Sequence, residues 1–144
     1  MISMFWLILG GASVAGASYL YKTWRSRTLP TKSEEEFLMN YREFYSDPSD
    51  LVLQQRRNIA SHLGLPPEKL SPDLTFKEIS DHAGFVGEYE VGMGDLEEVL
   101  RELYQKASLK MPGSFPVTVG ELIHEIVTAQ KVLTDLQDKR NSNP

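Results

Sequence analysis

The sequence predicts an all-α fold: a small helical bundle with one added N-terminal helix, tethered by a single transmembrane helix. Three observations lead there. Apolar residues recur at helical spacing in four segments beyond residue 33, and no segment alternates well enough to form a strand. Capping-box pairs precede several of those segments. The first 21 residues carry no charged side chain, whereas basic residues crowd the next 11.

Residues 1–21, MISMFWLILGGASVAGASYLY, are taken as the transmembrane anchor. As a helix they span roughly 31 Å, about the hydrocarbon thickness of a bilayer. Trp6 lies near one end and Tyr19, Tyr21 and Trp24 near the other, where aromatic rings favour the interface. Lys22, Arg25 and Arg27 follow, so the positive-inside rule puts the N-terminus out and the following domain in the cytoplasm. The rival is a cleaved signal peptide with small residues at 15–18, but its positive charge belongs before the apolar run, not after it. Gly11, Ala12, Ala15 and Gly16 place small residues four apart, a spacing suited to self-association or packing on a partner helix. Small residues are also simply common in membrane helices. Residues 22–32 form a basic juxtamembrane linker in which Pro30 discourages one continuous helix. It serves as a topology signal or rests on anionic headgroups.

The helical domain is assigned to residues 33–138. Ser33 and Glu36 open a helix whose face carries Phe37, Leu38, Tyr41, Phe44 and Tyr45, a core stripe with a ligand pocket as the minor reading. Asp47-Pro48-Ser49 precedes a second helix with Val52, Arg56, Ile59, Ala60 and Leu63 on one face. Arg56 is expected to cover that face from its edge, and Gly64 to end the helix in the left-handed conformation. Prolines then predict a loop with a single turn at 67–70, and Thr75 with Glu78 predicts a short helix over 76–82. Four glycines between Gly84 and Gly94 predict a turn or flexible loop. Asp95, with Glu98, is expected to cap the best-defined helix, with Leu96, Val99, Leu100, Leu103, Tyr104 and Ala107 as its stripe. Thr118 and Glu121 cap the last helix, with Val119, Leu122, Ile123, Ile126 and Val127 inward and continuation through Leu133 and Leu136. Residues 139–144 are expected to be a disordered tail.

Residues 50–128 resemble the acyl carrier proteins. The resemblance rests on a long helix ending in LGL, a loop with LSPDLTFKEI, a central helix DLEEVLRELYQKA, a proline-containing loop and TVGELIHEIV. It implies that Leu70, Leu74, Phe76 and Ile79 plug the top of the bundle, and that the central acidic helix docks basic patches on partners. The docking residues it points to are Glu88, Glu90, Asp95, Glu97, Glu98 and Glu102. The family's serine, which bears phosphopantetheine, falls near Met93 in VGMGDL, and no serine or threonine occurs between Asp81 and Ala107. The chain is thus similar to serine-less relatives of that family that carry no prosthetic group.

Chemistry is sparse elsewhere. The chain has no cysteine, which excludes disulfides, thiolate metal sites and cysteine nucleophiles. His62, His82 and His124 are far apart and make no helical metal pair, so no metal, cofactor or catalytic residue is assigned. All 20 acidic residues lie beyond residue 33 against 11 of the 15 basic ones, leaving −9 on that part and +4 before it. Such a body repels nucleic acid and suits a basic protein partner. The expected function is a membrane-anchored, non-catalytic protein-interaction module docking a basic partner. The alternatives are a small structural or accessory subunit of a membrane complex, and an acidic inhibitor of the immunity type.

Overall fold

The computed structural model describes residues 29–83 and 88–142. Five helices follow one another: α1 (Glu34–Arg42), α2 (Ser49–Leu63), α3 (Phe76–Ala83), α4 (Glu88–Lys106) and α5 (Val119–Asn141), with a 3₁₀ turn at Pro67–Lys69. Among the described residues the only β-pairing is a single antiparallel bridge between Thr75 and Thr118. The all-α expectation therefore stands.

Helix starts follow the capping chemistry at three of the four expected places. Ser33 Oγ accepts from the Glu36 N–H while the Glu36 carboxylate accepts from the Ser33 N–H. Thr75 with Glu78 and Thr118 with Glu121 repeat the arrangement. The Thr75–Thr118 bridge sets the last two starts side by side, through Phe76 N–H to Val117 O and Val119 N–H to Leu74 O. At the other end of α2, Gly64 takes φ 66° and ψ 32°, the left-handed cap the sequence implies.

The core lies where α2, α4 and α5 meet. Val52, Ile59, Ala60 and Leu63 of α2 are buried there with Leu96, Leu100 and Tyr104 of α4 and Val119, Leu122, Ile123, Ile126 and Val127 of α5. Leu70, Leu74, Phe76 and Ile79 close one side of it. Phe37 and Tyr41 bring α1 onto the same cluster.

Several expectations are corrected. Val99 was expected in the inward stripe of α4 but is 38% exposed, and Phe44 of the α1 stripe stands out at 75%. The helix α1 ends at Arg42, so Phe44 lies past its last turn. Arg56 does not cover an edge; it is 2% exposed. Its Nε and Nη2 donate to the Leu70 carbonyl at 3.2 and 2.9 Å, and Nη2 also donates to the Lys32 carbonyl at 2.8 Å. The guanidinium also sits 4.3 Å from the centroid of the Phe37 ring. The domain begins before Ser33, because Leu29 is buried and Lys32 N–H donates to Glu68 O. Helix α5 continues through residues 139–141, where a disordered tail was expected.

The glycine-rich segment departs most from expectation. Instead of a loop ending at an Asp95 cap, α4 is already helical from Glu88, and Asp95 lies two turns inside it. Gly92 explains how the helix passes there. A Cβ at that position would overlap the His62 carbonyl, so α4 crosses the end of α2 at a separation only glycine permits. Tertiary packing along the crossing overrides the weak helix propensity of glycine.

Residues 1–21 and the packing positions Gly11, Ala12, Ala15 and Gly16 lie outside the described residues, as does residues 22–28 of the linker. Among the described residues no helix is long and apolar enough to cross a membrane. The expected placement as a single-pass membrane protein with a cytoplasmic domain is corrected accordingly.

Candidate functional site

Helix α4 has two unlike faces. Leu96, Leu100 and Tyr104 turn inward, as does Ala107 just past the helix end, and Met93 and Leu103 are half-buried beside them. At helical spacing, Val91, Asp95, Glu98 and Glu102 fall on the opposite side, and all four are exposed. Val91 is 67% exposed, which places an apolar contact next to three carboxylates.

The six expected docking residues are thereby divided. Asp95, Glu98 and Glu102 share the outward row. Glu97 is exposed on the flank, where its carboxylate takes Arg101 Nη2 at 3.3 Å. Glu88 and Glu90 belong to the first turn of α4. Glu102 has Lys106 at 3.6 Å, and Asp95 lies 3.9 Å from the His62 ring. Exposed pairs of this kind are weak and exchange readily for other partners. Glu98 makes no ion pair among the described residues. The Met93 position, where the carrier serine would fall, is half-buried within the helix.

The structure also builds a cluster that sequence reasoning missed. Asp47, in the connection between α1 and α2, is buried, with its side chain 4% exposed. Tyr41 Oη donates to its Oδ2 at 2.7 Å, and the His124 ring nitrogen Nδ1 meets the same oxygen at 2.7 Å. Lys131 Nζ donates to Oδ1 at 2.9 Å. Burial pushes the Asp47 carboxyl upward, but the hydrogen bonds from Tyr41, His124 and Lys131 outweigh it and hold it below the ordinary carboxylate range. The Tyr41 hydroxyl is driven far above its usual range, first by burial and then by its bond to Asp47. Tyr45 stacks on the His124 ring at 4.5 Å between centroids.

An aspartate holding a histidine is also how a general base is oriented. Here the carboxylate is shared with Tyr41 and Lys131, and Tyr45 covers one face of the imidazole. The arrangement therefore acts as a clamp, tying the connection after α1 to two positions of α5 that lie two turns apart. Its sequence signal was faint: Asp47 before Pro48 reads as turn chemistry, and its partners on α5, His124 and Lys131, are 77 and 84 residues away. Among the described residues no group of three or more His, Asp or Glu side chains could hold a metal ion.

No family model, curated protein or solved structure matches the chain.

Proposed function

We propose that this protein is a non-catalytic protein-interaction module, an acyl-carrier-like helical domain without a prosthetic arm, that docks a basic protein partner through the outward face of α4. The observation that supports this reading is the row of Val91, Asp95, Glu98 and Glu102 on a helix whose opposite face is committed to the core. A rigid helix presenting carboxylates beside an apolar contact suits a partner with Lys or Arg around a hydrophobic spot. Charge steers and sets register while the apolar contact is desolvated. Burial of Leu70, Leu74, Phe76 and Ile79 is in keeping with the carrier-like reading. The absence of a serine or threonine between Asp81 and Ala107 is in keeping with a carrier that has no arm.

The test compares the wild-type chain with a variant carrying Glu98→Lys and Glu102→Lys as baits. A basic protein retained by the wild type and lost by the variant, and reconstituted from purified components, supports the reading. A partner retained equally by both removes α4 from the account. Stoichiometric mass gain on incubation with a phosphopantetheinyl transferase and coenzyme A contradicts the armless assignment.

A further inference from the structure

A groove of about 530 Å³ opens between the end of α1 and the start of α5. None of its lining residues belongs to α4, so it stands apart from the face discussed above. Its walls are the Phe44 and Tyr45 rings and Pro72, and its charged lining is Glu43, Asp73 and Glu121, with no cationic side chain among them. We propose that this groove is a docking site for an arginine-bearing peptide segment of a partner protein.

Three observations carry the choice of occupant. Phe44 is the most exposed large apolar side chain among the described residues, at 75%, although the neighbouring Phe37 and Tyr41 are fully buried. An aromatic ring kept in water at a groove edge offers its negative face to a cation. The Glu43 and Asp73 side chains make no hydrogen bond or ion pair among the described residues, so their charge is free to pair. Glu121, by contrast, is tied to the Val117 and Thr118 N–H groups and contributes only its field.

The field at the groove is negative on every side that can be named. The Tyr45 hydroxyl is raised above its usual range by burial, then by Glu121, Glu125 and Asp47. The nearby cation Lys131 is already engaged on Asp47, which also holds the His124 ring. The groove also adjoins the carbonyl end of α1, where the helix dipole favours positive charge. Guanidinium suits the site better than ammonium, because a planar group can stack on Phe44 while its N–H fork reaches a carboxylate. The groove exceeds the volume of one side chain, and its apolar wall accommodates the residue beside the arginine.

The probe is an acetylated hexapeptide alternating arginine and leucine, with a glutamate-for-arginine counterpart as control. Both are titrated into the ¹⁵N-labelled full chain. Amide shifts should centre on residues 40–45, 72–73 and 118–121. Affinity should fall about tenfold in Phe44→Ala and in Glu43→Gln/Asp73→Asn, and the Glu98→Lys/Glu102→Lys variant should bind as the wild type does. Phe44 is exposed, so its truncation leaves the fold intact. Shifts confined to α4, no shifts at millimolar peptide, equal binding of the glutamate control, or unchanged affinity in Phe44→Ala would each overturn the groove. The first of these outcomes would leave the α4 reading standing.

Discussion

Gly92 of α4 rests against the carbonyl of His62 in the last turn of α2, with no room between them for a Cβ. Two residues further on, Gly94 faces open space, with nothing within 4 Å of the place where its Cβ would stand. The same residue type on the same helix thus has opposite roles.

Gly94→Ala should stabilise the domain by about 0.5–1 kcal/mol, because alanine favours the helix and narrows the unfolded ensemble. Gly92→Ala should destabilise it by about 1–3 kcal/mol despite the same gain in propensity, since α4 must move off backbone rather than off a flexible side chain. Urea unfolding of the two variants checks both signs. Equal stabilisation by both would mean that α4 does not cross α2 at Gly92.

Asp47 should set the acid limb of stability. Its carboxyl lies below its ordinary value of 3.8 when folded. A depressed folded-state value means that the contribution is fully present above the unfolded pKa and is lost as pH falls through the folded one. The groups facing it are Tyr41 from α1, Tyr45 just past its end, and His124 and Lys131 from α5. Asp47→Asn should cost about 2–3 kcal/mol at neutral pH and flatten the loss of stability below pH 4. Urea midpoints measured from pH 7 down to pH 2 would show it. A variant with the same acid limb as the wild type would rule Asp47 out as its source.

Arg56 should not be replaceable by lysine. Its buried guanidinium satisfies two carbonyls, those of Leu70 and Lys32, and lies over Phe37. A lysine cannot match that fork geometry and is more strongly hydrated. Arg56→Lys should lose about 1–3 kcal/mol, and amide exchange should accelerate in α1, which Arg56 joins to the loop before α3. Protection in α1 equal to that of the wild type would show that the bridge is dispensable.

The sequence made the regular parts of this fold legible because they rest on local chemistry. Ser33, Thr75 and Thr118 each have a glutamate three residues on, and each begins a helix. Asp95 and Glu98 have the same spacing, yet α4 starts at Glu88. Glycines at 92 and 94 argued for a loop, and only contact with His62, 30 positions earlier, makes a helix there favourable. Arg56 was expected at an edge, and Asp47 was given no role, for the same reason. Each is a polar residue whose partners come from distant segments, and local pattern cannot show that a buried charge will be satisfied. The outward acidic row on α4 was visible as composition, but its separation from Glu97 required the true helix phase. The groove beside Phe44 was not visible at all, since Phe44 looked like a member of an inward stripe.

The outward row of α4 is tested most directly by the affinity of the reconstituted partner for wild type and for the Glu98→Lys/Glu102→Lys variant, titrated calorimetrically at low and high salt. Circular dichroism should be near normal in the variant, because exposed charges contribute little to folding. The account predicts that wild-type affinity declines as salt screens the charges, and that the variant binds at least about tenfold more weakly at low salt. Equal affinity of the two folded proteins at low salt would contradict docking through α4.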